Sequence, residues 1–462
     1  MNDRLNTFYE FIKGRRISML GIGVSNTPIA KIFAAKGAIV TAHDKRTREK
    51  LGKTADELEA AGVKLCLGED YLKDLDADII FRTPGMKFYL PELVAARERG
   101  AVVTSEMEVF FDLCPCKIIA VTGSDGKTTT TTIISKMLEK QGYKVFLGGN
   151  IGRALLPEVE NMGKDDFAVV ELSSFQLISM RRSPDIAVIT NMSPNHLDMH
   201  KDMDEYINAK KNIILHQNAF GRAVLNLDND ITRSMVPDTR GACLMFSRKQ
   251  KVNFGSFLDG DKLCYADKSG VYEVMKTSDI FIDGMHNVEN YLAAISAVWG
   301  LVDIENMKEV ARTFKGVEHR REFVRELDGV KYYNDSIATT PSRTMAGLEA
   351  YNQKVILIAG GYDKKIPFDV MGPTVVRKVK TLILIGATAK KIEESVKKAP
   401  EYREGNPQII HAASLEEAVN IARRVSQKGD IVTLSPACAS FDMFKNFETR
   451  GEVFKDIVNS LK

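Results

Sequence analysis

A chain of 462 residues exceeds what one hydrophobic core organises, and at about 150 residues per domain it predicts roughly three domains. Lys and Arg total 64 against 61 Asp and Glu, a net charge of +3, so no single-sign field argues for nucleic-acid binding. Hydrophobic residues at 44% and charged residues at 27% exclude a disordered chain, and no apolar run approaches the roughly 18 residues of a membrane span. Six cysteines, with only Cys114 and Cys116 close together, give neither a disulfide framework nor a zinc site. The first residues lack the order of a secretory signal, and a cytoplasmic protein without membrane insertion is expected.

Short β-branched runs alternate with helical periodicity, which predicts an α/β fold of parallel sheets covered by helices. Residues 16–21 read as a strand, 27–36 as a helix and 38–43 as the next strand, ending at Asp44. The loop Gly21-Ile22-Gly23-Val24-Ser25-Asn26 has Asn26 at the third glycine position. With Asp44 placed to meet a ribose or base, this βαβ unit reads as a nucleotide site. A structural turn and a nicotinamide site are its alternatives.

A second series opens at residues 117–122 and continues through 167–172 and 185–190, each strand ending in a polar cluster that should line one crevice. Directly after the first run stands Thr122-Gly123-Ser124-Asp125-Gly126-Lys127-Thr128-Thr129, and helical residues 130–140 follow. This reads as a phosphate-binding loop: glycines turn N–H groups toward phosphate oxygens, the helix start adds its dipole, Lys127 supplies a cation, and the Thr128 hydroxyl can ligate magnesium. Val121 occupies the first glycine position of the strict pattern, so the loop is a variant, and a plain glycine turn is the alternative. The later strands end in Glu171-Leu172-Ser173-Ser174-Phe175-Gln176 and in Asn191-Met192-Ser193-Pro194-Asn195-His196-Leu197-Asp198. If they neighbour the loop's strand, Glu171 and His196 enter its crevice and suit magnesium beside a triphosphate. Singly, Glu171 could be a cap and His196 a satisfied loop histidine.

Lys210 and Lys211 fall on a predicted helix over 204–216 and read as solvated surface lysines. Residues 222–280, punctuated by Asp259-Gly260-Asp261 and Ser269-Gly270, read as hairpins, a β insertion. Helices over 288–301 and 306–314 lead to a boundary at Lys315-Gly316. Strands are then predicted at 354–359, 381–385, 408–411 and 430–434. Asn334-Asp335-Ser336, Gly360-Gly361-Tyr362-Asp363-Lys364 and Ser435-Pro436-Ala437-Cys438-Ala439-Ser440 each follow an apolar run. As strand-end loops they offer Lys364, the Ser440 hydroxyl and backbone donors to an anion.

Together these motifs resemble the Mur ligase family, ATP-dependent amide-bond-forming enzymes of peptidoglycan precursor synthesis, over nearly the whole chain. Glu-Leu-Ser-Ser-Phe-Gln-Leu at 171–177 and LSPACASFDMFKNFETR at 434–450 are similar to its D-glutamate-adding members. The resemblance implies three domains: a Rossmann-like UDP-substrate-binding domain (1–107), a central P-loop ATPase-type parallel sheet with a β insertion (108–317), and a Rossmann-like amino-acid-binding domain (318–462). It implies a monomer whose domains close to exclude water. The implied partners are UDP-N-acetylmuramoyl-L-alanine and D-glutamate, and the implied cofactors are ATP and magnesium at two sites.

Residue by residue, the resemblance assigns Gly23, Val24, Ser25 and Asn26 to the diphosphate, Asp44 and Arg46 to the uracil end, and Asn150 to the same substrate. Gly123 to Thr129, Asn287, Asn290, Arg320 and Asp335 would contact ATP. Lys127, Glu171, His196 and Lys210 would form the catalytic set, with Thr128, Glu171, His196 and Lys210 around metal. Lys210 is typically carbamylated in the family, which turns a cationic amine into an anionic oxygen ligand. Thr339, Lys364, Ser440, Phe441 and Phe447 would bind D-glutamate. Asp125 stands where Asn is common and Asn195 where Asp is usual. Ile337 stands where the glutamate-adding members often carry lysine, so one implied cation is absent. A related ligase with another amino acid, folylpolyglutamate synthase and a non-catalytic nucleotide sensor are the alternatives.

Overall fold

Runs buried at every position, such as Ile186–Ile189 and Val355–Gly360, have the composition of strands covered on both faces. In the computed structural model, which describes residues 3–73, 75–193, 200–282, 284–364 and 366–462, such runs pair in parallel. Among the described residues the strands form three sheets. The chain divides into two units, residues 1–314 with the first two sheets and residues 315–462 with the third.

The first sheet holds β1 (Arg16–Leu20), β2 (Ile39–Asp44), β3 (Lys64–Leu67), β4 (Ile79–Arg82) and β5 (Val102–Thr104), ordered β3-β2-β1-β4-β5 and parallel throughout. The winding reverses at β1, so the loops after β1 and β4 open a crevice at their carboxyl ends.

The second sheet holds β6 (Lys117–Thr122), β7 (Val145–Gly149), β8 (Phe167–Glu171), β9 (Ile186–Ile189), β10 (Arg222–Asn226), β11 (Ala242–Ser247), β12 (Gly255–Asp259), β13 (Lys262–Asp267) and β14 (Gly270–Lys276). Its order is β14-β13-β12-β11-β10-β9-β6-β8-β7. The stretch read as hairpins therefore divides. β10, β11 and β12 extend the parallel sheet, and only the pairings of β13 with β12 and with β14 are antiparallel, at its edge. The helix Met285–Val298 lies against β10, β11 and β12. That cover buries Val224, while Ala223 and Leu225 are buried on the opposite face, which removes the one-sided alternation a solvated hairpin would show.

One apolar cluster joins the first two sheets. It runs from Leu5 and Ile12 through Phe33 and Phe81 to Met107, Phe110 and Phe111 of helix Glu106–Leu113, and on to Ala120, Val170 and Ile189. The buried Glu106 carboxylate accepts the N–H groups of Leu155 and Leu156 at 2.9 Å each. This continuity is why both sheets fall in one unit.

The second unit holds β15 (Glu322–Leu327), β16 (Val330–Asn334), β17 (Val355–Gly360), β18 (Val379–Ile385), β19 (Gln408–His411) and β20 (Ile431–Leu434), ordered β15-β16-β20-β17-β18-β19. All pairs are parallel except β15 with β16. Separate apolar clusters cover its two faces, one around Leu357 and Leu382, the other around Ile356 and Ile383. Among the described residues no helix is long and apolar enough to cross a membrane.

Candidate active site

β6 ends at Thr122, and the turn through Gly123 and Gly126 delivers the chain into helix Lys127–Gln141. That helix starts three residues earlier than the pattern suggested, because its first turns are threonines that hide the periodicity. Thr131 and Thr132 bond back to the carbonyls of Lys127 and Thr128 at 2.8 Å. Both glycines are required by their surroundings. At Gly123 (φ +148°) a Cβ would stand 2.0 Å from Thr190 Oγ1, and at Gly126 (φ +77°) 2.4 Å from Asn290 Oδ1.

β8 and β9 flank β6, so their loops begin beside the phosphate loop. Glu171, 2% exposed, is gripped at both oxygens. Thr128 Oγ1 donates to Oε2 and Asn150 Nδ2 to Oε1, each at 2.7 Å. Lys127 Nζ donates to the Ser124 carbonyl at 2.8 Å. Asn191 Oδ1 accepts the Asp125 N–H at 2.9 Å, and Ser124 Oγ meets the Tyr206 hydroxyl at 2.9 Å. Asn290 and Asn287 are buried and bonded to each other at 3.1 Å, and Thr130 Oγ1 donates to Asn290 at 3.2 Å. They abut the loop. His196, with Asn195, lies outside the described residues.

The surface reading of Lys210 is overturned. Helix Met203–Leu215 turns it inward, 2% exposed, with Nζ donating to Thr122 Oγ1 at 3.2 Å and 5.0 Å from the Tyr206 ring centroid. Burial, and then the charge of Lys127, push its ammonium down to about 7 against the pull of Glu171. Lys211 forms an ion pair with Asp238 at 2.5 Å. The Thr128 hydroxyl and Glu171 carboxylate are hard oxygen donors, the chemistry magnesium prefers.

In the first sheet Asp44 is 6% exposed and turned toward its own loop. Its oxygens accept the Ile22 N–H at 2.8 Å and the Arg46 N–H and Nε at 2.9 Å each. Burial raises this carboxyl, but the hydrogen bonds from Arg46 and Ile22 outweigh it and hold it below the usual range. Asn26 folds back onto the Leu20 and Gly21 carbonyls at 3.0 and 3.2 Å. Asp44 and Asn26 thus shape the loop, Gly23, Val24 and the Arg46 guanidinium form its exposed part, and Ser25 is half-buried.

In the second unit the loops after β16, β20 and β17 leave adjacent parallel strands. Asp335 is buried. Its oxygens accept Ser435 Oγ at 2.8 Å and the Arg321 N–H at 3.3 Å, and burial pushes its carboxyl up to about 6. Lys364 Nζ donates to Thr339 Oγ1 at 3.3 Å. Ser440 is buried, whereas Phe441 is exposed and edge-on to Tyr362. Phe447 accepts Ser336 Oγ at its carbonyl, 2.8 Å, and Arg320 is exposed.

Three features escaped the sequence reading. Arg450, fully buried, donates to the Ser336 hydroxyl and carbonyl at 2.9 and 2.8 Å and to the Ala439 and Cys438 carbonyls at 3.2 and 3.1 Å. It clamps two of the loops together. Arg82, at the end of β4, reaches the Phe175 carbonyl at 2.9 Å and Ser179 Oγ at 3.0 Å. His200 stacks on Phe175 and bonds Ser174 Oγ at 2.8 Å, and both arginine and histidine line a cavity of about 400 Å³. An arginine closing the apolar run Ile79–Arg82 was the available signal for the second feature.

Residues 121–298 match the Mur ligase middle domain and residues 319–438 the Mur ligase glutamate ligase domain. Over the full length of both proteins the chain is 54% identical to the UDP-N-acetylmuramoylalanine–D-glutamate ligase of Acetivibrio thermocellus and 55% identical to that of Clostridium kluyveri. Among solved structures, the UDP-N-acetylmuramate–alanine ligase of Thermotoga maritima aligns with a TM-score of 0.57 at 18% identity, covering 97% of this chain and 100% of that one. MurF from Acinetobacter baumannii aligns at 0.56 and 17%, covering 82% and 91%; these two likenesses speak for the fold. With full-length identity above half, the chain belongs to the Mur ligase family and stands within it beside the UDP-N-acetylmuramoylalanine–D-glutamate ligases.

Proposed function

We propose that this chain joins D-glutamate to the alanine carboxylate of UDP-N-acetylmuramoyl-L-alanine, consuming ATP through an acyl phosphate and releasing ADP and phosphate. The observation that carries the reading is the meeting of Lys127, Thr128, Glu171 and Lys210 at one end of adjacent strands, in a chain matching ligases of that name from end to end. The alanine carboxylate attacks the γ-phosphate, and the Lys127 ammonium balances the charge that develops on the transferred group. Magnesium, held by Thr128 and Glu171 with His196 and Lys210 at a second position, would neutralise phosphate charge. Thr128 and Asn150 fix the Glu171 carboxylate, so it needs no reorganisation. The D-glutamate amine then attacks the activated carbonyl and phosphate leaves.

In this reading residues 1–107 bind the UDP-substrate, 108–317 bind ATP, and 318–462 hold the amino acid through Thr339, Lys364, Ser440, Phe441 and Phe447, with Arg320 and Asp335 toward ATP. The protein acts as a cytoplasmic monomer. Lys210 becomes a carbamate: its amine is buried and held near neutrality, the state that reacts with carbon dioxide, and a carbamate offers the oxygens a cation needs. Phosphate release is measured with ATP, magnesium and UDP-N-acetylmuramoyl-L-alanine against D-glutamate, L-glutamate, meso-diaminopimelate or no amino acid. Turnover with D-glutamate alone, and a product heavier by one glutamyl residue, is expected. Turnover with another amino acid, or ATP binding without turnover, overturns the assignment.

A further inference from the structure

The stretch from Asp335 to Thr339 carries no cation of its own, yet cations gather around it. Arg343, in the first turn of helix Pro341–Glu349, donates from Nη1 to the Ile337 carbonyl at 3.3 Å. Lys364 donates to Thr339 at the other end of the same loop. Both side chains are exposed, and among the described residues neither takes part in an ion pair within 4.0 Å, whereas nearby Asp363 pairs with Lys391 and Glu349 with Arg377 and Lys378. Neighbouring cations also act on both. Lys364 is pulled down by burial and then by Arg343, and Arg343 by burial and then by Arg320, against the opposing pull of Asp335. A cation in the first turn of a helix faces the positive end of its dipole, an arrangement that costs stability. The buried Asp335 opposes part of this charge, but the cations around the loop outnumber it.

We propose that the Arg343 guanidinium, beside Lys364, receives a carboxylate of the dicarboxylic amino acid that this unit binds, and so helps to select that substrate. The inference rests on the D-glutamate reading and adds a residue to it. A dicarboxylate presents two anionic groups, and one lysine neutralises only one of them. A planar guanidinium held at the loop by the Ile337 carbonyl still has donors left for a carboxylate fork. The same charge also disfavours an ammonium on the nearby substrate amine, which must be neutral to attack.

The test compares wild type with Arg343→Ala and Arg343→Lys, in saturation curves for D-glutamate and, separately, for ATP. Loss of a charge-assisted fork raises the KM for D-glutamate by about tenfold or more in Arg343→Ala, with a much smaller change in kcat and no change in the KM for ATP. Arg343→Lys restores the charge without the planar fork and recovers only part of the affinity, and the thermal midpoint of Arg343→Ala stays level or rises. An unchanged KM for D-glutamate in Arg343→Ala overturns the inference. So does a rise in the KM for ATP in its place, which would give the anion as phosphate, or a fallen thermal midpoint in both variants, which would give a structural role. Wild type that does not turn over with D-glutamate brings down the ligase reading itself, a result distinct from all of these.

Discussion

At the carboxyl ends of β6 and β8, Thr128 and Asn150 bond the two oxygens of Glu171, and Lys210 is buried against Thr122. At the carboxyl ends of β16, β17 and β20, Arg450 holds loop carbonyls from within, while the heads of Arg343 and Lys364 stand exposed near a buried Asp335. The first cluster directs its polar groups at one another and fixes its charges in advance. The second fixes its backbone and leaves its charge open to an arriving anion. Substitutions should therefore separate the two: in the first cluster they fall on turnover, and in the second on stability where the clamp is cut or on affinity where a cation is removed.

The largest effect is expected at Lys127. Lys127→Ala removes the cation that the proposed mechanism sets against the phosphates and should lower kcat by about a thousandfold, about 4 kcal/mol of transition-state stabilisation. It should also raise the Lys210 ammonium, since Lys127 is the second cause of its depression after burial. Ligation at the normal rate in this variant would remove the phosphate loop from the chemistry.

Arg450→Ala breaks the other cluster in a different way. Four acceptors, on Ser336, Cys438 and Ala439, lose their donor inside the fold. Unsatisfied buried groups cost about 1–3 kcal/mol each, partly recovered by water, so a loss of about 3 kcal/mol is expected. Hydrogen exchange of the β16 and β20 amides reports it directly. Protection unchanged in those strands would show that the clamp is not what holds the loops.

What was legible in the sequence was local. Gly123 to Thr128 announces itself because strand, turn, cation and hydroxyl are contiguous. The alternation of β-branched runs and amphipathic helices gave the parallel sheets, and the strand-end loops of the second unit followed from their apolar runs. The antiparallel edge was read too widely, since burial under helix Met285–Val298 cannot be seen from the turns that punctuate residues 222–280. Arg343 and Arg450 were invisible, because each acts on a loop over 100 residues distant or on a neighbouring carbonyl that only the fold presents. The residue pattern alone left Lys210 on the surface and only the family resemblance drew it into the site, although a local signal existed. Tyr206, Ala209 and Ile213 form the buried stripe of their helix, and Lys210 sits four residues after the first and three before the last, on that stripe. A lysine at an apolar register position points to burial. Its neighbour Lys211 falls off the stripe.

That buried lysine gives the finest separation of the two clusters, through pH. Its folded value of about 7 lies below the ordinary lysine value of 10.5. Between these the unfolded chain holds more protons than the folded one, so the fold gains stability as pH rises from about 7 toward 10.5. Below about 7 the group is protonated in both states, and this contribution no longer changes. The neutral amine, the form that can take up carbon dioxide, declines about tenfold for each pH unit below that value, about 1.4 kcal/mol per unit. Labelled bicarbonate should therefore enter the protein readily at pH about 8 and about tenfold less at pH about 6. Lys210→Arg should take up none, and Arg343→Ala should follow the wild-type profile because its charge acts in the other cluster. Equal labelling at both pH values, or labelling retained in Lys210→Arg, would show that the modified amine is not the buried one. The second cation of the proposed mechanism would then have to be held without a carbamate.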